Sequence, residues 1–212
     1  MSRIINTEEL IRNAPFELSK ADKVVLTTTE EDFFPHTWED IQEIIVSAGG
    51  DTSQLKRTPT YLPDYIFWTR EIQATFGSVT NFLVKTRLHW GKEANHADIR
   101  IPYRHYSVPF ADQSDYRILR NDWPYAMPSG MVHLVVWLKT PIPVDAEGDP
   151  TTESRRLVAD FIDRTIKWQS VRALEHIHVI LRDVDDEFVT ELTGQGPAEI
   201  ECKSYSISVN SN

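Results

Sequence analysis

Apolar residues recur at helical spacing through the first half of the chain. Thr37 resembles an N-cap residue, with Asp40 three positions later, and it precedes a helix that Gly49-Gly50 would end. A longer pattern follows Pro63 and is bent or divided at Gly77-Ser78. The apolar positions are Trp38, Ile41, Ile44 and Ile45 in the first pattern and Tyr65, Ile66, Trp68, Ile72, Phe76, Val79, Phe82 and Leu83 in the second. Both patterns predict amphipathic helices.

Strands and helices alternate in the second half. Residues 116–120 are β-like, and residues 133–138 are apolar on both faces except for His133, which is typical of a buried strand. The next predicted elements are a helix beginning at Thr151 or Thr152, a strand over 174–181, a short helix from Asp185 to Gly194 and a weak strand over 205–209.

This order predicts an α+β fold, in which helices flank an antiparallel sheet and a helical N-terminal region comes first. We expect an N-terminal arm over 1–35 that contributes no core element. We expect a single α+β domain over 36–196, with a helical part at 36–90 and a sheet-containing part at 100–196. Residues 197–212 are expected to form a C-terminal tail.

The net charge of −10 argues against extended contact with nucleic acid, because binding to phosphate backbones favours a basic surface. A local basic pocket for a small anion remains compatible with this charge. The chain has no apolar run of bilayer length and no apolar block near its N-terminus, so we expect a cytoplasmic protein without membrane contact. The single Cys202 fits a reducing compartment. No phosphate-binding glycine loop or dinucleotide motif is present, and no cofactor is predicted.

Two histidines lie on one face of the predicted strand at 174–181. His176 and His178 are two positions apart, so both side chains point the same way, whereas Glu175 points to the opposite face. Adjacent imidazoles can act as nucleophile and acid–base partner in phosphoryl transfer. They can also be two of three metal ligands, or half-buried histidines bonded to backbone carbonyls. The residues alone leave these alternatives open.

A second candidate site lies at the turn before the apolar strand. Asn121 and Asp122 can turn the chain and bind polar groups, and Trp123 and Tyr125 offer rings for stacking on a base or sugar. The alternative is a structural turn with aromatic packing. His133 is the polar exception in the strand that follows. Lys139, at the end of that strand, either meets an anion or marks the solvent-exposed end.

Several motifs along the chain occur together. They are the runs at 116–125 and 132–137 with Lys139, Thr37-Trp38-Glu39-Asp40, Phe76-Gly77-Ser78, Arg87-Leu88-His89-Trp90, Ser170-Val171-Arg172-Ala173, Glu175-His176 and His178-Val179. In these motifs the chain resembles a fungal family of unknown function that includes an N-acetylglucosamine-induced protein. The chain departs from the family pattern at Ala126, where the family has glycine, and before Gln169, where about a dozen residues are missing.

The order of the motifs also resembles the histidine-triad superfamily of nucleotide hydrolases and transferases. That resemblance implies that His176 is the nucleophile on an α-phosphate and that His178 donates hydrogen bonds to phosphate oxygens, whereas Leu174 replaces the first histidine of the triad. Gln169 and Ser170 would steady the leaving group. The implied ligand-binding set is Asn121, Asp122, Trp123, Tyr125, His133, Lys139, Gln169, Ser170 and Arg172.

The resulting hypothesis is a protein that binds, and hydrolyses or transfers, a phosphorylated nucleotide or sugar-nucleotide. A non-catalytic protein that senses a small metabolite is the alternative, and Leu174 and the shortened segment before Gln169 favour it. A tailoring enzyme of fungal secondary metabolism is a third possibility. The sequence predicts no oligomeric state.

Overall fold

The computed structural model describes residues 7–47, 52–90, 108–165, 170–172 and 176–196. The helices are α1 (Thr7–Arg12), α2 (Lys20–Val25), α3 (Trp38–Ser47), α4 (Tyr61–Phe76), α5 (Val79–Phe82), α6 (Thr152–Thr165) and α7 (Asp186–Thr193). The strands are β1 (Tyr116–Arg120), β2 (Met131–Leu138), β3 (Ser170–Arg172) and β4 (His176–Arg182). Short 3-10 turns cover Thr52–Gln54 and Gln113–Asp115, and a π-helical turn covers Leu83–Arg87. The predicted strand at 205–209, the tail and Gly49-Gly50 lie outside the described residues.

The four strands form an antiparallel sheet in the order β1-β2-β4-β3. This confirms the predicted α+β class with an antiparallel sheet and flanking helices. The sequence did not separate β3 from β4. Residues 170–172 in fact form a short edge strand, with Val171 opposite His178. The finer prediction of a histidine-triad-like sheet stays a prediction.

Helices α6 and α7 cover one face of the sheet. Their residues Val158, Phe161, Ile162 and Val189 pack with Ile118, Leu134, Val136, Leu138, Ile177, Val179 and Leu181 in one buried cluster. These strand positions alternate along β1, β2 and β4, so a single face supplies them all. The other face is left to the N-terminal helices and to polar side chains.

Local signals fix the helix ends. The Thr37 hydroxyl accepts a hydrogen bond from the Asp40 amide, and the Asp40 carboxylate accepts one from the Thr37 amide, which is the predicted capping box. Gly77 ends α4 in the left-handed region at φ 77°, and the Ser78 hydroxyl caps α5, so the long helical pattern is divided as expected. The α4 helix begins at Tyr61, two residues before Pro63.

The N-terminal region differs from the expected arm. Within 1–35, residues 7–12 and 20–25 are helical, and Leu10, Leu18 and Val25 are buried against Leu62 and Ile66 of α4. The buried apolar residues of this polar segment belong to two short helices. They are too few and too widely spaced to form the long periodic pattern from which a helix can be predicted. The domain boundaries themselves stay a prediction.

The α3 helix covers one end of the second sheet face. Ile41 and Leu55 form a buried cluster with Ile180 of β4, and Met131 of β2 packs against it. The rest of this face carries the histidines. No helix among the described residues has the length and apolar character needed to cross a bilayer.

Asp115 is fully buried and joins the beginning of β1 to the end of β2. Its Oδ1 accepts hydrogen bonds from the amide and hydroxyl of Thr140, at 3.0 and 2.7 Å, and its Oδ2 accepts one from the Phe110 amide at 3.0 Å. These groups are removed from water, so the carboxylate is their source of hydrogen bonds.

We predict that Asp115→Ala lowers the free energy of unfolding by about 3 kcal/mol, because it leaves buried donors unpaired. Asp145→Ala is the matched control: the Asp145 carboxylate also accepts two backbone hydrogen bonds, but in an exposed loop where water can replace it. Urea denaturation should show a loss below about 1 kcal/mol for the control. Equal losses in the two variants would contradict the structural role of Asp115.

Candidate functional site

The strand register brings three histidines onto the second face of the sheet. Trp137 of β2 lies opposite His176 of β4, Val135 lies opposite His178, and His133 lies opposite Ile180. Residues directly opposite in antiparallel strands share a face, and His133 is therefore the diagonal neighbour of His178. The predicted pair is thus joined by the histidine that interrupts the apolar strand. We call this the histidine row.

The three imidazoles are hydrogen-bonded in sequence. Nε2 of His133 lies 2.8 Å from Nδ1 of His178, and Nε2 of His178 lies 3.2 Å from Nε2 of His176. Both ring nitrogens of His178 are therefore used inside the row. Direct donation by His178 to a ligand would require one of these bonds to break, so a central relay position fits its geometry better. Its predicted contact with phosphate is untested.

The row has a poor shape for metal binding. A tetrahedral site needs three nitrogens that converge on one point, whereas His178 turns its two nitrogens toward different neighbours. Within the described ranges, no group of three histidine, cysteine, aspartate or glutamate residues is arranged to hold a metal ion. The arrangement is instead suited to hydrogen bonding and to proton movement along the row.

Burial keeps the row uncharged. Desolvation lowers the pKa of His176 to about 4. Desolvation, helped by the charges of His176 and Arg57, lowers the pKa of His178 to about 3. His133 is only 4% exposed, and burial, helped by the charges of His178, Arg57 and His176, holds its pKa well below the ordinary range. All three imidazoles are therefore neutral at pH 7.

Aromatic rings flank both ends of the row. Tyr125 stacks on His133 with ring centroids 5.1 Å apart and an interplanar angle of 21°. Trp137 stacks on His176 at 4.7 Å and 25°. Trp137 and His176 are half-buried, whereas His133 is buried. The accessible end of the row is therefore the end at His176 and Trp137.

The turn at 121–125 supports the buried end. The Asn121 amide donates to the His133 carbonyl at 2.8 Å, and the Asn121 side-chain oxygen accepts a hydrogen bond from the Trp123 amide at 2.9 Å. Nδ2 of Asn121 lies 3.3 Å from both ring nitrogens of His133. Asn121 and Tyr125, both predicted site residues, thus contact the row directly.

Asp122 and Trp123 of the same turn point elsewhere. Both carboxylate oxygens of Asp122 accept hydrogen bonds from Arg87, at 2.8 and 2.5 Å. The Trp123 ring packs against Tyr65 and Trp68 of the helical region, with centroid distances of 5.6 and 5.5 Å. These contacts are structural. Ligand stacking by Trp123 stays a prediction.

The other predicted residues lie apart from the row or outside the described residues. Nζ of Lys139 donates to the Ser114 carbonyl at 2.6 Å and lies 5.2 Å from the centre of the Trp90 ring, so it lies just beyond the end of β2. Gln169 lies outside the described residues. Ser170 and Arg172 pair with Val179 and Ile177, whose side chains belong to the opposite face from the histidines.

Sequence reasoning missed Arg57. Its guanidinium carbon lies 4.1 Å from the centre of the Tyr65 ring and 5.1 Å from that of Tyr125, and its Nε donates to the Trp123 carbonyl at 3.3 Å. Its charge lowers the pKa of His133 and His178, so its field reaches the row. Among the described residues, no carboxylate forms a salt bridge with it. Only the basic pair Lys56-Arg57 could have drawn attention to it in the sequence.

Comparison with known proteins places the chain among fungal relatives. Residues 37–182 match the family model described as "Protein of unknown function (DUF3605)". The chain is 31% identical over 195 residues to N-acetylglucosamine-induced protein 1 of Candida albicans, covering 78% of this chain and 76% of that protein. It is 27% identical over 164 residues to the uncharacterized protein YPL067C of Saccharomyces cerevisiae, covering 68% of this chain and 77% of the relative.

A solved structure, the crystal structure of HTC1, matches with a TM-score of 0.47 and 24% identity over 74% of this chain and 92% of that chain. The family match spans the chain from α3 to β4 and therefore includes Asn121, His133 and the β4 histidines. The resemblance to the fungal family of unknown function is thereby confirmed. This chain belongs to the DUF3605 family, which includes N-acetylglucosamine-induced protein 1.

Proposed function

We propose that this protein binds a phosphorylated small molecule, a nucleotide or sugar-nucleotide, on the face of the sheet that carries the histidine row. The observation that carries the proposal is Arg57, a cation beside neutral imidazoles, which has no salt-bridge partner among the described residues. Phosphate would supply the missing negative charge.

The positive charge that would attract a phosphate is local to Arg57. The chain as a whole has a net charge of −10, yet the field of Arg57 acts on His133 and His178. Asp122, the acidic residue of the adjacent turn, is held by Arg87 through a two-fold hydrogen bond. A guanidinium group offers paired donors that match the spacing of phosphate oxygens. An anion is therefore the ligand class that best fits this face.

The aromatic rings suggest an organic part to the ligand. Trp137 is half-buried beside His176, and Tyr125 is half-buried beside His133 and Arg57. Exposed aromatic faces favour stacking with a base or a sugar ring. A nucleotide combines such a ring with a phosphate. This combination favours nucleotides and sugar-nucleotides over inorganic anions.

Cleavage or transfer by His176 is the second candidate function. Nδ1 of His176 has no hydrogen-bond partner in the described part of the chain, and Nε2 bonds to His178. When Nδ1 attacks phosphorus, an N–P bond forms and the bond from phosphorus to the leaving oxygen breaks. The proton on Nε2 can then pass to His178, while the leaving oxygen takes a proton from solvent. Attack by water on the phosphorus would then break the N–P bond and release the phosphorylated product, and Nε2 of His176 would regain its proton from His178.

The histidine-triad analogy fits this site in number but not in layout. In that superfamily all three histidines lie along one strand. In this chain β4 supplies His176 and His178, and β2 supplies His133. We therefore propose a three-histidine site that resembles the superfamily in chemistry, in which the third histidine, His133, joins the row at His178.

Arg57→Gln should weaken binding of a phosphorylated ligand at least about tenfold, equivalent to ~1.4 kcal/mol, because a charge-assisted hydrogen bond is lost. The measurement is calorimetric titration with nucleoside monophosphates and sugar-nucleotides. Arg155→Gln, which removes the same charge from an exposed position on α6, is the matched control and should bind as the parent protein does. An unchanged dissociation constant in Arg57→Gln would refute the proposed phosphate contact.

His176→Gln tests catalysis separately from binding. Glutamine keeps a hydrogen-bonding group for His178 but provides no nucleophilic nitrogen. The melting temperature should change by no more than roughly 4 °C, about 1 kcal/mol for a chain of this size. Release of the leaving group, followed by chromatography of nucleotide products, should be lost. Ligand binding by the parent protein without any turnover would leave the non-catalytic binding protein as the function.

The neutral row also predicts loss of stability in mild acid. In the unfolded chain His176 takes up a proton near pH 6.5, whereas in the folded protein its pKa is about 4. Stability is thus fully present above pH 6.5 and declines as pH falls toward 4. His176→Gln should reduce the slope of this decline by up to about 1.4 kcal/mol per pH unit, measured by urea denaturation between pH 7 and 4.5. Parallel pH profiles for the two proteins would show that His176 is protonated normally when folded.

A further inference from the structure

His36 is a buried histidine that lies outside the histidine row. It directly precedes Thr37, whose hydroxyl caps α3, and only 7% of it is exposed. Its Nε2 accepts a hydrogen bond of 3.0 Å from the amide of Lys56, the residue before Arg57. A buried imidazole that bonds to the backbone of a distant loop holds that loop in place. His36 is therefore placed to decide where the Arg57 side chain begins.

The loop that leads to Arg57 is held at each of the three residues before it. The ring of His36 forms a hydrogen bond with the backbone of Gln54 as well as with the amide of Lys56. Leu55, between them, is 3% exposed and packs in the cluster formed with α3 and β4. The histidine thus bonds to the loop on both sides of its buried leucine.

The same histidine joins this loop to the turn that follows β1. The His36 amide donates to the Ala126 carbonyl at 3.2 Å, the Ala126 amide donates to the Lys56 carbonyl at 2.7 Å, and the Lys56 amide donates back to Nε2 of His36. The three residues form a closed cycle of hydrogen bonds. Next to this cycle, Nε of Arg57 donates to the Trp123 carbonyl of the turn at 3.3 Å.

We propose that His36 is a positioning residue for Arg57, which it holds at the His133 end of the row through the Lys56 amide. The guanidinium carbon of Arg57 lies 5.1 Å from the centre of the Tyr125 ring, and that ring stacks on His133. This inference rests on the proposed function for the contact between Arg57 and a phosphate. A cation that is already held in place binds an anion with a smaller loss of side-chain freedom.

The cycle requires one tautomer of His36. A backbone amide is a donor only, so Nε2 carries the lone pair and Nδ1 carries the proton of the neutral ring. Burial and the charge of Lys56 lower the pKa of His36, whereas Asp40 and the backbone of Gln54 act in the opposite direction. The ring is therefore neutral at pH 7 and able to accept the bond from the loop.

His36→Asn and His36→Gln separate the Nε2 acceptor from the rest of the ring. The glutamine side chain is long enough to place its oxygen near the position of Nε2, whereas asparagine is one carbon shorter. In ¹H–¹⁵N spectra of the full chain, Nε–H of Arg57 should exchange with water equally slowly in the parent and in His36→Gln. Exchange should be at least about fivefold faster in His36→Asn, because the bond to the Trp123 carbonyl opens more often. Equal exchange in all three proteins would overturn the inference.

Calorimetric titration with adenosine monophosphate and uridine diphosphate glucose measures the consequence for binding. His36→Asn should raise the dissociation constant about three- to tenfold, and His36→Gln should stay within about twofold of the parent. Added to Arg57→Gln, His36→Asn should cause no further loss, because the side chain that it positions is already absent. The same loss in both backgrounds would mark His36 as purely structural and would overturn the inference.

The two measurements fail independently of each other. If neither probe binds the parent but Arg57 exchanges faster only in His36→Asn, the proposed phosphate contact is contradicted and the positioning by His36 stands. If Arg57→Gln weakens binding and His36→Asn does not, the positioning is refuted and the proposed function stands. Should His36→Asn fail to fold, the parent decides: long-range ¹H–¹⁵N spectra at pH 7 should show Nδ1–H in His36, and Nε2–H would overturn the inference.

Discussion

The pairing of β2 with β4 is the constraint on which the site depends. One register assigns each residue of the two strands to a face of the sheet. A shift of one residue would move His176 and His178 into the apolar layer under α6, and would move Ile177 and Val179 out of it. The apolar packing of one face therefore holds the imidazoles of the other face in contact. The core and the candidate site are specified by the same hydrogen-bond ladder.

Burial of three imidazoles in a sheet is tolerable because they satisfy one another. An isolated buried imidazole would leave a donor or an acceptor unpaired, whereas the row leaves only its ends to be matched. Asn121 matches the buried end and is itself held by the turn that ends in Tyr125. That turn is anchored by the two-fold contact between Asp122 and Arg87, which lies in the π-helical turn. The helical region thus supports the row, although it supplies none of its histidines.

The sequence predicted the structural features that depend on neighbouring residues. The capping box at Thr37, the αL glycine after α4 and the apolar run of β2 each depend on neighbouring residues, and each was confirmed. His133 was marked by its position in that run. Its contact with His178 could not be predicted, because a strand apolar on both faces gives no alternation from which to derive a register.

Contacts between residues that are distant in the sequence could not be predicted, because no local pattern indicates them. Arg57 approaches the row from a loop more than 60 residues before β2, and no periodic pattern connects the two. The aromatic residues of the turn were equivalent in sequence, yet Tyr125 stacks on His133 and Trp123 packs into the helical cluster. Which ring faces the site follows from the path of the chain after Asn121, and that path is set by tertiary packing.

A purely structural role for the row would need no accessible end. Three mutually bonded histidines could be closed at both ends by buried polar groups, as the side-chain amide of Asn121 lies against His133 at one end. The other end instead meets the half-buried pair of His176 and Trp137. The nearest cation identified, Arg57, lowers the pKa of the inner histidines, so it disfavours their protonation and keeps the row neutral. An accessible imidazole at one end of a neutral row, and a guanidinium beside the Tyr125 ring that stacks on His133, are groups that can hold an oxyanion.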